Sequence, residues 1–177
     1  ANDYQSYFEA GQQLQNIAKE GKSKWIPFYH AGYAYIQAAL ESPASTETLA
    51  LLDSAQLMVD KTIEFGGLGN SEIVCLQGYL YYAQQFKTPE NLNNTYARKA
   101  TQELDKARFI DGNNPRPDYV IGLVLDQLLK QMGGNKKSAC KQFQNAEVKF
   151  NKFTPRSEFY PDWGAEENAA NLQKCNQ

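Results

Sequence analysis

Few residues of this chain are able to carry out catalysis. The single histidine, His30, would have to serve as the base of any serine or cysteine triad, but no glycine-flanked nucleophile accompanies it. It stands beside Tyr29 and Tyr33 on a helix that we expect to be buried, where a histidine usually packs. Glu166 and Glu167 would point about 100° apart on a helix, so they do not converge on one substrate atom. These patterns predict a protein that is not an enzyme.

The sequence also contains no recognisable cofactor or metal motif. Two glycine-rich segments, FGGLG at 65–69 and MGGN at 132–135, lack the Lys-Ser/Thr and the preceding strand of a phosphate loop, so we interpret them as helix ends. The three cysteines have no zinc-ligand spacing, and we expect neither a metal nor a cofactor. A net charge of -2 and a pI near 5.5 make nucleic acid an unsuitable partner. Lys136 and Lys137 are a short cluster that we interpret as a solvated helix start.

A pattern of small and large residues recurs along the chain and indicates the elements around these side chains. Each unit combines a glycine in an apolar segment with a later segment of the form small-xxx-large-xx-small. The units are Gly32 with Ala55, Val59 and Thr62, then Gly78 with Ala100, Leu104 and Ala107, then Gly122 with Ala139, Phe143 and Ala146. The recurrence of roughly 40 residues is typical of helical arrays, in which each hairpin buries its apolar face against the next.

At these residues the sequence resembles the tetratricopeptide repeat family, whose first helix carries the glycine and whose second carries the small-large-small pattern. The resemblance implies an all-α, right-handed array of antiparallel helical hairpins with about eight helices in one domain, 1–177. Its parts would be an N-terminal capping helix at 2–20, hairpins at about 24–65, 71–111 and 115–151, and a C-terminal loop and capping helix at 152–177. The tail FNKFTPRSEFYPDWG, followed by a helix ending in Cys175, is also similar to small tetratricopeptide-like cell-envelope proteins of Bacteroidetes. We expect the aromatic residues of this tail, including Trp163, to pack over the end of the array.

In the resembled family, the first helices of the hairpins line a concave groove that binds a partner. Tyrosines anchor a partner well, because each offers a rigid apolar ring with a hydrogen-bonding tip. The resemblance therefore implies a non-catalytic module or scaffold that binds a protein or peptide. Carried over residue by residue, the groove comprises Tyr29, Tyr33, Gln37, Tyr79, Tyr82, Arg116, Tyr119, Asp126 and Gln127.

Other functions stay open for the same residues. One alternative is an envelope protein that binds a small molecule or a glycan, with the tyrosines as stacking platforms and with weak enzymatic activity as a further option. A purely structural capping role is another. Half or more of the tyrosines could instead fill the space between helices, and the sequence leaves the oligomeric state open.

Two of the cysteines are placed to form a disulfide. If the last two helices are antiparallel neighbours, Cys140 and Cys175 lie about 11 and 12 residues from the turn and therefore at nearly the same height. We predict that they are bonded, which requires an oxidising compartment. The alternative is a pair of reduced thiols in a cytosolic protein. We therefore expect an extracytoplasmic protein, periplasmic or secreted with its leader removed, and we expect Cys75 to be a buried apolar residue. The sequence contains no stretch of about 18 apolar residues, so we predict no membrane span.

Overall fold

The computed structural model describes residues 3–20, 24–43, 46–88 and 94–175. Within these ranges the chain forms eight α-helices and no β-strand, which confirms the predicted all-α class. The predicted helix start at residue 2 and the final residues 176–177 lie outside them. The helices are α1 (Asp3–Glu20), α2 (Trp25–Glu41), α3 (Thr46–Gly66), α4 (Ser71–Lys87), α5 (Thr95–Ile110), α6 (Arg116–Met132), α7 (Lys137–Phe150) and α8 (Ala165–Cys175).

The helices pack mainly against their neighbours in sequence. Helix α2 packs on α3, α4 on α5, and α6 on α7, while α1 packs on α2 and α8 packs on α7. The first helices of these three pairs also contact each other, α2 with α4 and α4 with α6. Side chains on α2, α4 and α6 are therefore brought together into one surface.

The recurring small residues permit close contact within the pairs. A Cβ added at Gly78 would lie 2.7 Å from Cγ of Leu104, and one added at Gly122 would lie 2.4 Å from Cε1 of Phe143. At Gly32 the nearest side-chain atom, Cβ of Met58, would be 3.4 Å away, which is ordinary contact. Glycine is thus required by packing in the second and third pairs and is less constrained in the first.

The second helix of each pair buries the stripe that the sequence pattern indicates. In α5 the residues Ala100, Leu104 and Ala107 are all inaccessible to solvent. The corresponding residues of α3 and α7 are buried as well: Ala55, Val59, Thr62, Ala139, Phe143 and Ala146. Burial of these stripes holds each pair together, because apolar surface removed from water is the main favourable term in folding.

The predicted disulfide is confirmed. Cys140 of α7 is bonded to Cys175, the last residue of α8, with their Cα atoms 5.8 Å apart. The bond fastens the C-terminal helix to the rest of the array. Cys75 is a free thiol that is fully buried on α4, as the sequence predicts.

Residues 152–164 connect α7 to α8 without forming a helix or a strand, and we call this segment the strap. We expected all of its aromatic residues to pack over the end of the array, and this expectation is wrong for two of them. The Trp163 ring instead stacks on tyrosines of α2 and α4, while Phe159 is exposed. None of the described helices combines the length and the hydropathy needed to cross a bilayer.

Candidate functional site

Aromatic side chains from α2, α4 and the strap form a continuous series of contacts that we call the aromatic row: Tyr33, Trp163, Tyr79, Tyr82 and Phe86. The Trp163 ring centre lies 4.8 Å from that of Tyr33 and 5.2 Å from that of Tyr79. The Tyr79 ring is stacked on Tyr82 at 5.8 Å, and Tyr82 lies 5.2 Å from Phe86. Tyr33, Phe86 and Trp163 are half-buried, so the row keeps accessible ring surface.

Hydrogen bonds fix the orientation of the rings. The Tyr79 hydroxyl donates to Oε1 of Gln37 at 2.8 Å, and Nε2 of Gln37 donates to the Tyr33 hydroxyl at 2.9 Å. The indole Nε1 of Trp163 donates to the Tyr29 hydroxyl at 2.8 Å. Because the polar tips are occupied within the protein, the row presents mainly its apolar ring faces to a ligand.

Arg116 holds the strap against the helices. It is completely buried, and its Nη1 donates to Oε1 of Glu72 at 2.9 Å while Nη2 donates to the Pro161 carbonyl oxygen at 2.6 Å. The guanidinium also lies 4.5 Å from the Phe153 ring centre and 5.4 Å from that of Trp163. The position of Trp163 in the row therefore depends on a buried charge pair beneath it.

Two helix starts place this pair. Asn70 caps α4 by accepting a hydrogen bond from the Glu72 backbone N–H at 3.0 Å. The Asn114 side chain, just before α6, accepts a hydrogen bond from the Arg116 backbone N–H, also at 3.0 Å. Because α4 and α6 pack side by side, the two first turns bring the carboxylate and the guanidinium together.

Burial shifts the titration of several groups at the site. It raises the pKa of Tyr33, Tyr79 and Tyr119 well above the usual range, and the nearby Glu167 carboxylate acts in the same direction. Burial likewise raises the pKa of Tyr82 to about 12. These phenols therefore stay neutral at physiological pH, and forming a phenolate here is costly.

The Glu72 carboxyl is affected in the same way. Burial raises its pKa to about 7, against the opposing effect of the Arg116 guanidinium and of hydrogen bonds from Asn114 and Tyr29. The Tyr29 hydroxyl is 3.5 Å from Oε2 of Glu72 and so links this carboxyl to Trp163. The charge pair and the aromatic row belong to one hydrogen-bonded network.

The structure brings part of the predicted groove together but buries much of it. Tyr29 and Arg116, which we expected to face a partner, are inaccessible to solvent because the strap covers them; this expectation of exposure is corrected. Tyr79, Tyr82 and Tyr119 are also buried. The half-buried members of the predicted set are Tyr33, Gln37, Asp126 and Gln127.

The predicted polar residues on α6 lie near the Tyr82 end of the row. Gln127 forms a hydrogen bond with the Tyr82 hydroxyl, which lowers the Tyr82 pKa. The Asp126 carboxylate raises that pKa. Asp126 forms an ion pair with Lys130, one turn further along the helix, with Oδ2 and Nζ 2.6 Å apart. Direct contact of these residues with a partner stays a prediction.

Sequence reasoning missed the role of Trp163 at the centre of the site. The repeat pattern covers only helices, and the strap has no periodicity that would indicate where its side chains lie. One local signal exists: Trp163 is followed by Gly164, whose φ of 97° lets the chain turn directly over Tyr119. A Cβ at Gly164 would lie 3.2 Å from Cδ1 of Tyr119.

The candidate catalytic residues His30, Glu166 and Glu167 have structural roles in the fold. Nε2 of His30 donates a 2.9 Å hydrogen bond to the Phe159 carbonyl oxygen and so anchors the strap to α2. Glu166 and Glu167 are exposed in the first turn of α8, where acidic residues complement the helix dipole. The described residues contain no group of three or more His, Cys, Asp or Glu side chains that could hold a metal ion.

No protein-family model matches this sequence, and no curated protein matches it. Among solved structures, the chain is similar to the HusA haemophore from Porphyromonas gingivalis. The two share a TM-score of 0.80 and 25% sequence identity, over 96% of this chain and 83% of that one. The tetratricopeptide resemblance thus gains no support from a family match. The predicted resemblance to small proteins of Bacteroidetes agrees with this similarity, because Porphyromonas belongs to that group.

Proposed function

We propose that this protein binds haem or a related porphyrin along the aromatic row and carries it without chemical change. The observation that carries this proposal is the similarity to a haemophore over nearly the whole chain. It favours the small-molecule alternative over a protein or peptide partner. Burial of Tyr29, Tyr79 and Arg116 further weakens the case for a peptide groove, because a peptide needs these side chains at the surface.

The aromatic row suits a flat, extended ring. The half-buried Trp163 ring lies nearly parallel to its neighbours Tyr33 and Tyr79, at 31° and 19°, and these contacts hold it as a flat platform. A porphyrin stacked on such a platform buries a large apolar area and adds ring contacts worth about 0.5 to 1.5 kcal/mol each. The half-buried Tyr33, Phe86 and Trp163 offer the accessible surface for that contact.

We further propose that stacking, rather than coordination of the iron, holds the ligand. The aromatic row contains no His, Cys or Met, and its tyrosines have pKa values raised by burial. A tyrosine binds haem iron as its phenolate, and these surroundings disfavour that form. Iron-free protoporphyrin IX is therefore expected to bind about as tightly as haem.

The disulfide and the haemophore similarity together support an extracytoplasmic location. A disulfide between Cys140 and Cys175 persists in an oxidising compartment and is rare in the cytosol. A protein that captures porphyrin outside the cytoplasm would act in such a compartment. We propose a site of action in the cell envelope or outside the cell.

A titration with matched variants tests the proposed function. Haem is added to the wild-type protein, to Tyr33→Ala/Phe86→Ala, and to Tyr96→Ala, while the Soret absorbance and tryptophan fluorescence are recorded. Tyr96 is a suitable control because it is half-buried on α5 and contacts Tyr81 outside the row. We expect saturable binding that is at least about tenfold weaker in the row variant and unchanged in the control. Absence of saturable binding to the wild type would refute the proposal, as would equal affinity in all three proteins.

A further inference from the structure

An open cavity of about 1070 Å³ lies where the turn between α6 and α7, the first turns of α7 and the end of α8 meet. Its described lining includes no residue of the aromatic row, so it is a different surface from the proposed porphyrin site. The volume is about that of cavities that hold small organic ligands.

The rim of this cavity is positively charged. Lys136, Lys137 and Lys141 all line it, and its described lining contains no Asp or Glu. Lys137 and Lys141 are four residues apart on α7 and therefore lie on the same face, one turn apart. The ion pairs found in the described parts of the chain involve other side chains. Ammonium groups that line one cavity repel one another, and an anion bound between them would offset that repulsion.

The floor of the cavity is apolar and structurally fixed. It is formed by the half-buried Leu129 of α6 and by the disulfide between Cys140 and Cys175. The turn is held by a 2.9 Å hydrogen bond from the Gly134 backbone N–H to the Leu129 carbonyl oxygen. A Cβ at Gly134 would lie 2.7 Å from Cδ2 of Leu129, so glycine allows the turn to pack tightly on this floor.

The start of α7 adds to the positive field. The Asn135 side chain, just before the helix, accepts a 3.1 Å hydrogen bond from the Lys137 backbone N–H. The helix dipole gives this end a partial positive charge in addition to the lysine side chains. The site therefore combines a cationic rim with an apolar floor.

We propose that this cavity binds a small amphipathic anion, with a carboxylate or phosphate head and a short hydrocarbon body. The ammonium groups of Lys137 and Lys141 contact the head, and Lys136 adds to the attraction. The hydrocarbon body lies on Leu129 and the disulfide. The site is independent of porphyrin binding, and each function can be lost without the other.

Decanoate is a suitable probe, used below its micelle concentration and followed by calorimetry and by amide chemical shifts of the ¹⁵N-labelled protein. The test variant is Lys137→Gln/Lys141→Gln, and the matched control is Lys61→Gln/Lys106→Gln, which changes the net charge equally at accessible lysines of α3 and α5. We expect one molecule to bind, with the shift changes confined to residues 129–144 and 172–175. Affinity should fall at least about tenfold in the test variant, stay unchanged in the control, and decrease with added salt.

Several outcomes would overturn the proposal. If decanol binds as tightly as decanoate, the lysines do not bind the head group. If both double variants lose affinity for decanoate equally, the effect comes from net charge alone. Shift changes confined to the aromatic row would place the probe in the porphyrin site. Binding to phosphatidylglycerol vesicles but not to free decanoate would make the lysines a membrane-contacting surface instead of a small-molecule site.

Discussion

The indole of Trp163 lies 5.2 Å from the ring of Tyr79, with the two ring planes 19° apart. A residue outside the helical repeat thus occupies the centre of the surface that the first helices form. The strap contributes to the site directly, and the helices beneath it are not an open groove.

The glycines of the first two pairs should respond differently to alanine. We expect Gly78→Ala to destabilise the protein by about 1 to 3 kcal/mol, because the new methyl group would clash with Leu104. Gly32→Ala meets only ordinary contacts, so the gain in helix propensity should leave stability unchanged or raise it by up to about 1 kcal/mol. Urea unfolding measures both changes, and equal effects at the two positions would contradict the packing account.

Removing one member of the buried charge pair should cost more than removing both. Arg116→Met leaves the Glu72 carboxylate buried without its cation, at a cost of about 3 to 5 kcal/mol. The double variant Arg116→Met/Glu72→Gln has no buried charge at these positions and should recover a large part of that loss. A double-mutant cycle with urea unfolding at pH 8 checks this expectation. Additive losses would show that the two side chains do not interact.

Stability should fall as the pH rises through the titration of Glu72. Its pKa in the folded protein is raised from 4.5 to about 7, so the folded state binds this proton more tightly than the unfolded state does. The contribution is fully present below about pH 4.5 and is lost as the pH passes 7. The groups that act on Glu72 are the Arg116 guanidinium, Asn114, Asp111 and Tyr29.

The free energy of unfolding, measured from pH 4.5 to 8, checks the effect of Glu72. We expect Glu72→Gln to flatten the decrease by roughly 1 to 3 kcal/mol relative to the wild type. Glu166→Gln, at an exposed position of α8, serves as the control and should leave the profile unchanged. A wild-type profile that rises over this range in parallel with that of Glu72→Gln would refute the assigned direction.

The disulfide should stabilise the C-terminal helix. It closes a loop with a sequence separation of 35 residues, for which loop entropy gives a stabilisation of about 3 to 4 kcal/mol. Cys140→Ser/Cys175→Ser is therefore expected to lower the free energy of unfolding by up to that amount. A thiol assay on the unreduced, denatured wild type should count one thiol, from Cys75. Three thiols would show that the bond is absent.

The helical part of this structure was predictable because it repeats. Leu104 and its neighbours Ala100 and Ala107 recur at helical spacing, so their shared buried face follows from the sequence. The disulfide was predictable for a similar reason, since helix length fixes the heights of Cys140 and Cys175.

The strap was not predictable in this way. Trp163 is held in place by the hydrogen bond from Arg116 to the Pro161 carbonyl oxygen and by its own hydrogen bond to the Tyr29 hydroxyl. Arg116 and Tyr29 are both far from the strap in sequence. No local pattern reports such contacts. Burial of Arg116 was missed for the same reason, because its partner Glu72 is on a different helix and the strap that covers it has no period.

The two tryptophans permit a direct test of the proposed porphyrin site. Iron-free protoporphyrin IX is added to the ¹⁵N-labelled protein while the two indole N–H signals are followed. Trp163 is in the aromatic row, whereas Trp25 contacts Tyr29 and Tyr160 outside it. Stacking on the row predicts a saturable ring-current shift of the Trp163 signal that is several times larger than that of Trp25. No shift at Trp163, or equal shifts of both signals, would contradict porphyrin binding on this surface.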